Sequence, residues 1–77
     1  MTKDELYTTA LELADQAAIS DIEVFCQRKR DEDGRYWYMP WTAPIGDHVT
    51  VRKAIDYLTA RDRIERHADG SGMVRFV

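Results

Sequence analysis

Residues 50–77, "TVRKAIDYLTARDRIERHADGSGMVRFV", decide how this chain folds. Val51, Ala54, Ile55 and Leu58 stand at i, i+3, i+4 and i+7, the spacing that lines one face of a helix. The stripe predicts a helix over 48–61 with that face toward the core. Arg52 and Asp56, four residues apart, are placed to pair on its flank, an interaction that contributes about 0.3–0.5 kcal/mol. Downstream, "RIERH" and "MVRFV" read as two strands joined by "ADGSG", where Gly70 and Gly72 admit the positive φ of a tight return.

Working back from this segment, "TAPIGD" is a loop broken by Pro44 and Gly46, and Asp47 is a candidate cap for the helix. "RYWYMPW" favours an extended strand that Pro40 ends. "ISDIEVFCQRKRDEDG" fits two patterns. As a helix it has Ser20 and Glu23 in capping-box spacing, with Ile22, Phe25 and Cys26 on one side. As a strand it sets Ile22, Val24 and Cys26 together and meets "RYWYMPW" across "DEDG". The capping box favours the short helix. At the front, Thr2 and Glu5 form another such box, and Leu6, Ala10, Leu13 and Ala17 recur at helical spacing. Residues 3–17 are therefore expected to be an amphipathic helix with that stripe, widened by Tyr7 and Ala14, on the core. Leu11 falls toward its polar side, which hints at a second contact.

At 77 residues the chain has room for one domain, 1–77. A domain this short buries roughly 60–65% of the surface its unfolded form exposes, so pairing with another chain is a natural route to stability. Its composition, 44% apolar and 32% charged, is that of a globular protein and not of a disordered tail. No apolar run approaches the roughly 18 residues that would span a bilayer, and "MTKDELYTT" lacks the blocks of a signal peptide. A cytoplasmic location is expected. With a single cysteine (Cys26) and two distant histidines (His48, His67), neither an internal disulfide nor metal-ligand spacing is present, and no cofactor is expected. No nucleophile–base pair, carboxylate pair or phosphate-cradling loop can be read from the spacing, so the chain is not expected to be an enzyme.

Charge is unevenly spread. The net value is −3, yet residues 1–26 hold one cation against six anions while residues 27–77 hold ten against eight. An acidic front and a mildly basic back are compatible with nucleic acid held by the back half.

The Thr50-Val51-Arg52 start, the Ala-x-x-x-Leu repeat of Ala54 and Leu58, the Ile64-centred strand and the closing hairpin together resemble the recognition helix and wing of winged helix-turn-helix domains. The match covers about 28 of the 77 residues. It implies a small α+β, winged-helix-like domain that binds duplex DNA, a transcription regulator of bacterial or phage type. In that family's manner helix 48–61 would enter the major groove, with Thr50, Lys53 and Tyr57 on one flank and Arg52 on the other. The wing, with Arg66, His67, Ser71 and Arg75, would lie along the phosphates. A domain with so few cations is expected to act as a homodimer, the acidic first helix turned toward its partner subunit.

A second expectation rests on the aromatic segment 36–41 and the acidic helix: an interaction or inhibitor module that binds a protein partner, Trp37 and Trp41 forming its contact platform. Filling of a small core by half of those aromatics is the plainer account. The basic run Arg28, Lys29, Arg30 and Arg35 reads either as a phosphate clamp or as a solvated turn neutralised by Asp31, Glu32 and Asp33, the second being favoured. Cys26 is expected to be a small buried residue.

Overall fold

The chain opens on a 23-residue helix, α1 (Lys3–Phe25), in a computed structural model that describes residues 2–77. Its start is capped as the sequence predicts. Thr2 Oγ1 accepts from the Glu5 N–H and Glu5 Oε2 accepts from the Thr2 N–H, each at 3.2 Å. Asp4 and Glu5 in the first turn suit the positive end of the helix dipole. The helix does not stop at residue 17. Ala17, Ala18 and Ile19 contain no glycine or proline to break the ladder, so the Ser20–Glu23 signature lies unused inside one continuous helix. The extended conformation of Cys26 ends it.

Two hairpins and a second helix follow: β1 (Gln27–Arg30), β2 (Tyr36–Met39), a 3₁₀ turn (Pro40–Thr42), α2 (His48–Ala60), β3 (Ile64–Arg66) and β4 (Val74–Phe76). The sheet is antiparallel throughout in the order β1-β2-β4-β3, with each hairpin following a helix. "ISDIEVFCQRKR" is neither a separate short helix nor one strand: α1 continues through it to Phe25, and β1 begins only at Gln27. Ile22, Val24 and Cys26 therefore do not share a strand, while "DEDG" forms the turn to β2. The hairpins join at one registered pair, Tyr38 with Val74.

α2 carries the expected stripe: Val51, Ala54, Ile55 and Leu58 are all buried. Asp47 holds the N-cap position, but its side chain makes no cap hydrogen bond. At the other end the Arg63 N–H donates to the Leu58 carbonyl at 2.9 Å and the Asp62 N–H to Thr59 at 3.1 Å. That six-to-one and five-to-two pattern needs a left-handed residue, and Asp62 supplies it at φ 56° where glycine is usual.

Ile22, Leu58 and Val74 are the most deeply enclosed side chains, and Ala18, Cys26, Tyr38, Val51, Ile55 and Ile64 pack with them. Both helices therefore lie on the sheet face that carries Tyr38, Val74 and Ile64. Burial pushes the Cys26 thiol up, so it stays protonated in the core, as a small apolar residue.

The face of α1 that meets this core corrects the sequence-based expectation. Leu6, Ala10, Leu13 and Ala17 are exposed, and the packed line is Leu11, Asp15, Ala18 and Ile22. At 3.6 residues per turn the two lines lie roughly 140° apart around the helix. Asp15 fits because Arg61, at the end of α2, reaches it: Nε lies 3.1 Å from Oδ1, close enough for an ion pair though not aligned for a hydrogen bond. Arg61 also donates to the Tyr57 hydroxyl at 3.2 Å, tying α1 to α2 through three side chains.

The class is α+β, as expected. Two helices over a four-stranded antiparallel sheet do not by themselves identify a winged helix.

Relieving the left-handed strain offers a test of the α2 exit. Asp62→Gly is expected to raise stability by about 0.5–1 kcal/mol in urea unfolding, with an unchanged m-value. Destabilisation would show that the carboxylate has a role of its own.

Candidate functional site

The residues proposed to touch DNA do not form one cationic surface. Thr50 and Tyr57 are half-buried and Lys53 is exposed, all three on the flank of α2 that faces α1. Together they form one wall of a groove of about 330 Å³, and Ala14, Ala17 and Asp21 of α1 form the other. Arg52 lies on the opposite flank, where its Nε donates to both carboxylate oxygens of Asp56 at 3.2 Å, the pair read from their spacing.

The wing residues are tied into the hairpin itself. The Ser71 N–H donates to Asp69 Oδ1 at 2.8 Å, and Ser71 Oγ accepts from the Met73 N–H. His67 Nδ1 accepts from the Asp69 N–H at 3.1 Å, and the imidazole packs 4.5 Å from the Trp37 ring. Arg75 is the most constrained. It binds Glu65 on β3, lies 3.2 Å from Asp33 and 3.8 Å from Asp31 in the β1–β2 turn, and sits 4.4 Å over Trp37. The hydrogen bond that Arg75 donates to Glu65, ahead of the charges of Glu65, Asp33 and Asp31, raises its pKa further. Arg66 is exposed and has no ion-pair partner among the described residues.

Trp37 and Trp41 part company. Trp37, 7% exposed, lies on the sheet face away from the helices, roofed by Arg75 and His67, and its Nε1 donates to Asp31 Oδ2 at 2.9 Å. It is a packing residue and is closed to a partner. Trp41 is 55% exposed beside a groove of about 320 Å³ whose walls include Pro40, Val51, Arg52 and Ile55.

Two surfaces emerge from residues that the sequence pattern assigns otherwise, the one to a neutralised turn and the other to the core. The first is cationic. Asp31 and Asp33 turn toward Arg75, so Arg28, Lys29 and Arg30 stand exposed along β1 with no carboxylate partner among the described residues. Arg28 lies 4.1 Å over Tyr36. No local pattern signals this, because the competing cation comes from β4. The second is apolar: Leu6 (56% exposed), Leu13 (61%) and Tyr7 (68%) lie bare on α1. Leu11 was its signal in the sequence, being apolar on the side assigned to solvent.

The carboxylates make the wing-to-turn network sensitive to acid. The Trp37 indole N–H first, and the Glu32 N–H next, hold Asp31 below the usual carboxylate range; the bonds from Ser71 do so for Asp69. A depressed folded-state pKa stabilises above the unfolded value, about 3.9 for Asp, and that contribution is lost as pH falls through the folded value. Urea midpoints are therefore expected to hold steady from pH 7 to about 5 and to drop below about 4. Asp31→Asn should lower the midpoint at pH 6 and flatten the acid limb; an unchanged limb would remove Asp31 from the network. No protein-family model matches this chain, and neither curated proteins nor solved structures give a match.

Proposed function

We propose that this protein is a small interaction module without catalysis of its own, acting in the cytoplasm, which docks a protein partner through the outer face of α1. The observation that carries this reading is the exposed apolar line Leu6, Ala10, Leu13 and Ala17 on a helix whose opposite side packs the core. Single exposed leucines are ordinary on a protein surface, but an aligned series along a helix marks a place where another surface belongs. Among the described residues no helix is long and apolar enough to cross a membrane, so a bilayer-spanning role gives no account of the line.

A photo-crosslinking residue at Leu13, introduced in the protein's own cells, is expected to give a discrete protein adduct; at Glu12, on the other side of the helix, it should give none. Adducts at neither position would end this reading. Leu13→Glu should leave the circular dichroism unchanged and the stability within about 0.5 kcal/mol, as for any exposed site.

A second reading, a regulator that binds duplex DNA, is favoured by the exposed cations of β1, which have no carboxylate partner among the described residues. It differs from the resemblance in where it puts the contact: Arg28, Lys29 and Arg30 in place of Arg75 and the groove-facing flank of α2. Binding to random duplex should weaken with salt by about 0.9 log units per phosphate neutralised for each tenfold rise in salt. Arg28→Ala and Arg30→Ala should each reduce that slope by about 1. No retention at low salt would dismiss it.

A further inference from the structure

The bare line on α1 is longer than the four residues first read from the sequence. Leu6, Ala10, Leu13, Ala17, Ser20 and Val24 follow one another at alternating spacings of four and three, the a/d rhythm of a coiled-coil seam. All six are exposed, Val24 to 70%. We propose that the partner docking on this face is a second copy of the chain, its α1 packed antiparallel against the first. This inference rests on the docking function proposed above and names its occupant.

Charge is the first argument. Asp4, Glu5, Glu12, Asp15 and Glu23 all lie roughly 100° or more from the centre of the line, so two acidic helices meet along an uncharged strip. The charged residues nearest it, Lys3 and Asp21, share one flank. In an antiparallel pair that flank faces its own copy, so Lys3 and Asp21 of both chains gather along one edge of the seam, which carries both signs. In a parallel pair the two Lys3 would lie at the same end on opposite edges, each facing the flank that carries neither Lys3 nor Asp21.

Side-chain size also sets the direction. Antiparallel pairing about the middle of the line sets Leu6 of one copy beside Val24 of the other, Ala10 beside Ser20 and Leu13 beside Ala17. Leu13 thus meets a small residue, which lets the two layers interdigitate, and the Ala–Ser layer brings the backbones close. A parallel pair would stack Leu13 on Leu13 and leave Ala17 on Ala17 as a gap. Tyr7 lies on the same flank as the α1–α2 groove and is carried toward the mouth of the other copy's groove.

The exposed area matches the demand. A folded monomer of 9.0 kDa is expected to expose roughly 4,900 Å². This chain exposes 5584 Å², an excess close to the roughly 800 Å² that each partner gives to a standard interface. Its radius of gyration, 13.6 Å, likewise exceeds the roughly 11.5 Å of a compact chain of this length.

Cysteine cross-linking reads out both the partner and the direction. In a Cys26→Ala background, Leu6→Cys chains mixed with Val24→Cys chains are expected to form the mixed disulfide in preference to either self-disulfide. Sedimentation of the unmodified chain should show a dimer, and Leu13→Glu should raise its Kd about a hundredfold or more with unchanged circular dichroism. Preferred self-disulfides, or a dimer indifferent to Leu13→Glu, would overturn the antiparallel seam. A chain that stays monomeric at all concentrations would overturn the second copy as occupant, and the Leu13 adduct described above would then separate the two failures: an adduct with another protein keeps the docking face, no adduct ends both.

Discussion

Everything in this domain hangs on the single rung between β2 and β4, Tyr38 beside Val74. Each hairpin is local and pairs within itself, but two isolated hairpins are marginal in water and gain stability only as one sheet. So short a seam has little backbone hydrogen bonding, and side chains hold it from both faces. On the helix side Val74 packs into the cluster of Ile22 and Leu58, and the Tyr38 and Phe76 rings lie 5.1 Å apart. On the other side Arg75 bridges Glu65 of its own hairpin to the Asp31–Asp33 turn of the other, with Trp37 beneath it. Trp37 is buried because that bridge covers it.

The same bridge redistributes charge. Glu65, Asp31 and Asp33 converge on one arginine, and among the described residues Arg28, Lys29 and Arg30 are left without acidic partners. A row of cations on an edge strand has a structural use, since charged edges resist pairing with further strands. It is also the sort of surface phosphates recognise. The wing turn has the opposite character: His67, Asp69 and Ser71 are engaged within that turn and on Trp37.

How much of this was legible follows from how far apart the deciding residues lie. α2 and the β3–β4 hairpin were readable because their signals, the Val51–Leu58 stripe and the two turn glycines, sit within a few residues of one another. The packed face of α1 was not. Two lines compete on that helix, and the one that meets the core includes an aspartate, which counts against it in any tally of apolar residues. Only Arg61, far along the chain, makes Asp15 a core-facing residue. Ser20 and Glu23 misled for a related reason: a capping signature marks a start only where something breaks the turn before it. In the candidate site, the α2 flank was placed correctly on the helix, but its neighbour α1 could not be seen from the sequence. The fate of Arg75 depended on carboxylates about forty residues away.

Residues 3–14 of α1 have almost no packing inside the chain; among them only Leu11 is even half-buried. Their helicity must come from the capping box and from leucine, alanine and glutamate propensities, and a lone helix of about 12–15 residues is marginal on those terms. Growing the helix from the packed half spares it the cost of nucleation, yet the first turns still have nothing to lean on. The exposed line supplies what is missing, because any surface that covers Leu6 and Leu13 also stabilises the helix that presents them. Order in this arm and coverage of its apolar face are thermodynamically linked, and the arm's acids lie away from the line.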